Sequence, residues 1–376
     1  MKSIITCVFV FAAVASAWTE NTSNEGWAVA LPGYRITLPE DHFPHYQFRT
    51  EWWYFTGNVK TADGRAFGYQ LTFFRHGYRP PGIGQPVSSR FVMNDVKFAH
   101  FAVTDVSAGK FHFDSRVSRG AYGEAGFADG QRLAWIDDWE VDFSNIFRLK
   151  ATAKNYAIEL ELTPERPAVP QGEEGLSQKA DGAGRASYYY SISRLKTSGS
   201  IQIGTESYKV EGSSWFDREW ATNQLTPEQS GWNWFAIQLS DGSDLMLYQM
   251  RLRNGGIDSH SNGKWIAANG VTAGLALNEF QLSREKYWMS PVSKANYPVV
   301  WKLTVPKLNL DLKITPALED QELNLAVVYW EGCIRLKGQR AGKPVDGVGY
   351  MELTGYQGKA PGLTGGASVG GIQPGD

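Results

Sequence analysis

From Phe67 onward the chain alternates strictly: Phe67, Tyr69, Leu71 and Phe73 fall on one face of an extended segment, while Gly68, Gln70 and Thr72 fall on the other. A period of two is the signature of a strand and excludes a helix. The pattern recurs along the chain, with turn-forming pairs between the runs at Asp63-Gly64, Asp129-Gly130, Asp241-Gly242 and Asn254-Gly255-Gly256. Such turns join neighbouring antiparallel strands, so the spacing predicts a meandering all-β chain. Aromatic residues at 13% and 40 glycines among 376 residues fit the same class. Amphipathic helical stretches are nearly absent, and only Thr226 to Ser230 invites a single helical turn.

The alternation is written twice. The hairpin that opens at Trp52-Trp53-Tyr54-Phe55, turns at Asp63-Gly64 and returns through Tyr69-Gln70 to Arg75 is echoed by Trp232-Asn233-Trp234-Phe235, Asp241-Gly242 and Tyr248-Gln249 to Arg251. Downstream, Val210 to Asp217 matches Val345 to Glu352 position by position. Opening hairpin and closing strand come in the same order in both halves, as two tandem copies of one barrel or sandwich require. The expected organisation is a first β-domain over residues 18–225, a second over 226–358, and a Gly-rich disordered tail over 359–376. Within the first half, Thr163 to Ala186 is rich in Pro, Gly and charge and is read as a long loop. In this alignment Gln70 and Gln249 occupy equivalent positions, which predicts a repeated structural hydrogen bond.

Lys2, the apolar run Ile4 to Val14 and Ala15-Ser16-Ala17 form a signal-peptide pattern over residues 1–17, with cleavage before Trp18 and a periplasmic or secreted product. Cys7 falls inside that segment, so the mature chain keeps Cys333 alone and has no internal disulfide to hold it. Lys and Arg total 37 against 39 Asp and Glu, with no basic run, which argues against nucleic-acid partners. The six histidines show no metal-ligand spacing, and neither a metal nor a cofactor is expected. Gly366-Ala367-Ser368-Val369-Gly370 matches a nucleophile elbow but lies in the tail, with no helix to follow it. Asn21-Thr22-Ser23 fits a glycosylation sequon.

Four motifs carry a family resemblance: Glu51-Trp52-Trp53-Tyr54-Phe55-Thr56-Gly57, Phe67 to Arg75, Ser214-Trp215-Phe216-Asp217-Arg218-Glu219-Trp220 and Gly231-Trp232-Asn233-Trp234-Phe235. In them the chain resembles the AttH-like family, related to bacterial carotenoid 1,2-hydratases, over about residues 27 to 358. The resemblance implies two tandem lipocalin-like (calycin-type) antiparallel β-barrels and an apolar ligand cavity. It also implies a range of roles: hydration of carotenoid ends, cyclisation of polyketides, an accessory part of an ABC transport system with transient membrane or transporter contact, or a secreted hydrolase. In the carotenoid branch His and Asn follow the Asp aligned with Asp217. Here Arg218 and Glu219 follow it, which weakens the case for a carotenoid substrate.

Residues two apart on a strand share a face, so Trp215, Asp217 and Glu219 point one way and Phe216, Arg218 and Trp220 the other. If the acidic face turns into a barrel interior, burial and like charge raise a carboxyl pKa and supply a proton donor for a C=C bond. Asp217 and Glu219 are therefore the candidate acids, with Glu51 a third. Trp53, Tyr54, Tyr69, Gln70, Trp215, Trp232, Trp234 and Tyr248 are the candidate ligand-binding residues, the aromatic faces suited to a developing cation. In the alternative, the acids and Arg218 form a structural ion-pair network, Glu51 pairs with Arg49 or Arg75, and the tryptophans are core. Glu331, after Tyr329-Trp330, is read as a polar residue inside the second barrel. Two functions stand side by side: an exported protein that binds a polyene or isoprenoid-like apolar ligand and hydrates or isomerises it, and a ligand carrier without catalysis.

Overall fold

Alternating apolar residues need a partner on each side, and in the computed structural model they find it in two antiparallel sheets. The structure describes residues 25–82, 92–223 and 225–357. The signal-peptide pattern, the sequon and the tail with its Gly366–Gly370 motif lie outside them. Among the described residues, helical geometry is limited to four short 3-10 turns, such as Glu40–His42. The segment expected to start a helix is a turn, closed by the Gln229 N–H donating to the Thr226 carbonyl at 3.1 Å.

The first sheet has 13 strands and runs from Lys110–Ser118 through Asp95–Asp105, Ala66–Gly77, Thr50–Lys60, Glu206–Ala221 and Ala186–Ile203 to Tyr156–Pro164. It continues through Phe147–Thr152, Trp139–Phe143 and Arg132–Ile136 to Ala125–Phe127. The sheet curls until its outer strands meet: Arg116 of Lys110–Ser118 donates to the Ile136 carbonyl at 3.0 Å and lies 4.4 Å from the Trp139 ring. The second sheet has ten strands, with Gln229–Leu239 between Asp244–Leu252 and Lys343–Thr354, and forms a half-barrel. Together they are two tandem lipocalin-like bodies. The expected loop from Thr163 to Ala186 adds two short strands, Val169–Pro170 and Leu176–Gln178, both paired with Ala186–Ile203. Its prolines and glycines keep them short.

The ladders of the two sheets correspond. Tyr54 stands opposite Asp217 and Trp234 stands opposite Glu352, so the hairpin echo and the closing-strand echo share one register. Gln70 and Gln249 are not equivalent. From Tyr54↔Thr72 to the last pair before the turn, Lys60↔Ala66, are six steps; from Trp234↔Tyr248 to Gln238↔Asp244 are four. In this register Gln249 matches Phe73 and falls on the other face, where its side-chain carbonyl accepts from Asn233 at 3.5 Å, whereas Gln70 donates to the Tyr329 hydroxyl at 3.2 Å.

Both faces of the central strands are buried. Trp53, Phe55, Phe216 and Trp220 point into the first barrel, among Phe147, Trp139 and Tyr190. Tyr54 and Trp215 point out of it, into a third apolar cluster shared with Trp234, Met246, Tyr248 and Tyr350 of the second sheet. The acidic face thus turns away from the barrel interior, which is filled by its own side chains, and into the junction between the sheets. Glycine permits the close approach. A methyl group on Gly68 would sit 2.6 Å from Cys333 Sγ and 2.8 Å from the Tyr350 hydroxyl.

Glu51 belongs to the barrel face, where it accepts from Arg75 Nε at 2.5 Å, from Arg218 Nη2 at 2.5 Å and from the His45 N–H at 2.9 Å. The Arg218 guanidinium lies 3.8 Å over the Trp53 ring and also donates to the Phe43 carbonyl. Burial opposes the Glu51 charge, but the two guanidinium groups outweigh it and hold the carboxyl well below the usual range. Removing one partner from such a set strands the opposite charge in an apolar interior. Glu51→Gln is expected to lower unfolding free energy by about 3–5 kcal/mol in urea titrations. In the same assay Gly68→Ala, which overfills the contact between the sheets, should cost about 1–3 kcal/mol.

Candidate functional site

The junction between the sheets holds a cavity of about 340 Å³, at the lower end of the ~300–1,000 Å³ usual for small-molecule sites. The first hairpin supplies Trp52, Tyr54, Gln70 and Phe74, and the second supplies Trp232 and Trp234. Tyr189, Asp217 and Glu219 come from the two strands beside the first hairpin, and Glu352 from the closing strand of the second half. Its more exposed lining residues, Glu25, Arg49, Arg185 and Pro227, mark the outer end. A side chamber of about 60 Å³ shares Trp52, Tyr189, Glu219, Trp232 and Trp234 and is closed by Lys179, Tyr248 and Met250.

Asp217 is buried at the inner end. Its Oδ1 accepts from Ser191 Oγ at 2.5 Å and from Trp215 Nε1 at 2.6 Å, and its Oδ2 accepts from the Tyr189 hydroxyl at 2.7 Å. With two donors on Oδ1 and one on Oδ2, a proton on this carboxyl belongs on Oδ2. The donors favour the anion, yet loss of solvent outweighs them and, with Glu219 nearby, pushes the carboxyl up to about 7.

Glu352 is the counterpart from the other half. Trp232 Nε1 donates to its Oε2 at 2.7 Å. Burial, opposed by that bond and reinforced by the charges of Glu219 and Asp217, pushes Glu352 up to about 7 as well. Behind it Glu331 stands opposite Glu352 in the ladder and accepts from the Tyr54 hydroxyl at 2.5 Å. Burial and then Glu352 drive the Glu331 carboxyl well above the usual range. Among the described residues, neither Asp217 nor Glu352 has a cationic side chain within ion-pair distance. Glu219 does, with Lys179 Nζ at 3.2 Å.

The candidate residues thus divide. Tyr54, Gln70, Trp232, Trp234, Asp217 and Glu219 meet around the cavity, Tyr248 closes the side chamber, and Trp215 stands behind Asp217 as a hydrogen-bond donor. Glu51, Trp53 and Tyr69 do not join them, because each lies on the face that packs inside the first barrel. Trp53 donates to the His42 carbonyl at 2.7 Å and stacks under Arg218, and Tyr69 bonds Ser214 at 2.6 Å. Four residues of the site are not among the candidates: Glu352, Tyr189, Lys179 and Trp52. The echo that aligns Asp217 with Glu352 held the signal for the first. Tyr189 lies in the run Tyr188-Tyr189-Tyr190, where alternation singles out the middle ring. Nothing in the Gly- and Pro-rich segment marked Lys179. Among the described residues, no group of three or more His, Cys, Asp or Glu is placed to hold a metal ion.

A profile of the AttH-like family matches residues 29–356. A crystal structure of an AttH protein from Nitrosomonas europaea is similar at 34% identity and a TM-score of 0.79, covering 88% of this chain and 99% of that one. Kievitone hydratase from Nectria haematococca has the same fold at 16% identity and a TM-score of 0.66, covering 89% of this chain and 98% of that one. CghA, solved with Sch210972, follows at 12% identity and a TM-score of 0.51, covering 89% and 98%. No protein of curated function matches by sequence. With nearly the whole described length matched, and with the duplicated hairpins and their junction in place, the chain belongs to the AttH-like family.

Proposed function

We propose that the protein adds water to a C=C bond of a small unsaturated ligand bound between the two sheets, with Asp217 as the proton donor. One observation carries this reading: two carboxyls, one from each half, reach a single aromatic cavity with pKa values lifted to about 7. An isolated alkene is a weak base and needs a proton donor held neutral and close. Asp217 gives its proton to one alkene carbon, the π electrons form the new C–H bond, and the adjacent carbon becomes a cation. The faces of Trp234, Trp232 and Tyr54 lower the energy of that cation. Water attacks it from the side of Glu352, whose carboxylate takes the released proton. With both groups near 7, returning that proton to Asp217 costs little, and the balance is one water added. Kievitone hydratase lends the reading support, since its fold is shared and its name records a hydration.

The cavity argues for a ligand more compact and more amphipathic than the long apolar polyene expected from the sequence, because Arg49, Arg185 and Glu25 stand at its outer end. A carrier role is the competing reading, and the same variant separates the two. Asp217→Asn keeps the shape and removes the proton, so turnover of a bound alkene in ¹⁸O-water should fall on the order of 10²–10⁴-fold while ligand binding persists. Wild-type protein that binds alkenes and never incorporates ¹⁸O supports the carrier.

The raised pKa values have a second consequence, with its sign fixed. Asp217 and Glu352 keep their protons in the folded chain at pH values where the unfolded chain has lost them. Their contribution to stability is therefore present in acid and is lost as pH rises towards about 7. The difference in unfolding free energy between wild type and Asp217→Asn/Glu352→Gln should decline by roughly 1 kcal/mol per group for each pH unit between about pH 5 and 7. Turnover should instead peak near pH 7, falling above it as Asp217 loses its proton and below it as Glu352 gains one.

A further inference from the structure

The inner wall of the cavity holds a buried acceptor left without a donor and two carboxyls left without a cation. Gln70 lines it, yet Gln70 Oε1 is buried with no partner. The carboxyls of Asp217 and Glu352 add further acceptor positions, and neither is matched by a cation. Buried acceptors without donors ask for a ligand that brings N–H groups. The walls carry the same demand in another form, because the faces of Trp232, Trp234, Tyr54 and Tyr189 present negative electrostatic potential.

The molecule already holds one ammonium by this chemistry. In the adjoining chamber Lys179 Nζ sits 3.2 Å from Glu219, 4.3 Å from the centre of the Tyr248 ring and 5.3 Å from that of Tyr189. Burial works against that charge, but Glu219 and its neighbours outweigh it and hold Lys179 above its ordinary range. The larger cavity repeats the combination of carboxyl and aromatic faces around Asp217 and Glu352, without a lysine.

We infer that this cavity binds a protonated organic amine, with its N–H groups on Asp217, Glu352 and Gln70 and its apolar body between Trp232 and Trp234. The inference rests on the unpartnered Gln70 acceptor, the two carboxyls without a cation and the aromatic walls, and holds whether or not the proposed hydration occurs. Binding is linked to protons. The groups that face the two acids are Glu219, Lys179 and Tyr189 from the first half, and Glu331 with Tyr54 behind Glu352. Arg49, Arg185 and Glu25 stand at the outer end. Of the groups facing the ligand, Asp217 and Glu352 titrate near neutrality, so a cation that enters below that range displaces a proton.

The test is titration of the full chain with 2-phenylethylammonium and with propylbenzene, its neutral counterpart of like shape, followed by tryptophan fluorescence and calorimetry. The ammonium ion should bind at least about tenfold more tightly than propylbenzene near pH 8, a difference of about 1.4 kcal/mol. Its affinity should rise by about tenfold between pH 5.5 and pH 7.5, with proton release visible as a buffer-dependent heat at the lower pH. Asp217→Asn/Glu352→Gln should lose both the preference and the pH dependence. Equal binding of the two probes by wild type, or an ammonium affinity that does not change with pH, overturns the inference without any reliance on the variant's folding. Turnover of an alkene in ¹⁸O-water is read separately, so failure here leaves the hydration reading standing or falling on its own result.

Discussion

The structure depends on the two-sided burial of the central ladder, Thr50–Lys60 against Glu206–Ala221. A strand at the wall of a simple barrel shows one face to water, and its outward residues are free to vary. Here a second sheet covers the outer face, so both sets of alternating side chains must find apolar or hydrogen-bonded company. The period of two then sorts the chemistry. Glu51, Trp53 and Phe55, with Phe216, Arg218 and Trp220, fill one body. Trp52, Tyr54, Asp217 and Glu219 meet the other.

That sorting sets the protonation of carboxyls only a strand apart. Glu51 and Asp217 are both removed from water, and the desolvation acting on each is large. Glu51 has two guanidinium groups on its oxygens and stays ionised, tying the chain near His45 and Phe48 to the barrel wall through Arg75. Asp217 has only neutral donors and keeps its proton to near pH 7. The same burial therefore yields an ion pair on one face and a protonated carboxyl on the other. The difference lies in the partner, since neutral donors stabilise an anion less than charged ones do.

Much of this was legible in the residues. The turn pairs and the alternation predicted an all-β chain, and the two echoes place Tyr54 against Asp217 and Trp234 against Glu352 in the ladders that form. Alternation also told which residues share a face. It does not tell which face meets which body, because both are apolar enough to be core, and so Glu51, Trp53 and Tyr69 look like partners of residues that lie on the other side of the sheet. The partner that settles Glu51 is Arg218, 167 positions further along the chain, and no local pattern announces such a contact. Glu352 was visible as one end of an echo, but an acid that differs from its counterpart by a methylene reads as repetition before it reads as chemistry. Lys179 sits in a segment whose composition signals turns, and only the folded path carries it to Glu219.

Equivalent positions of the two halves meet each other at the junction: the rings of Tyr54 and Trp234 touch edge to face, 5.2 Å apart. This is the relation of subunits across a two-fold axis. Two identical copies would carry the acid twice, opposite itself, with no means of making one differ from the other. Within one chain the two positions are free to differ. Opposite Asp217 the neighbouring strand now offers Ser191, a neutral donor, while the matching place opposite Glu352 holds Glu331, another acid. The cleft between two alike hairpins is thus handed, with a neutral donor beside the acid of one half and a second acid beside that of the other.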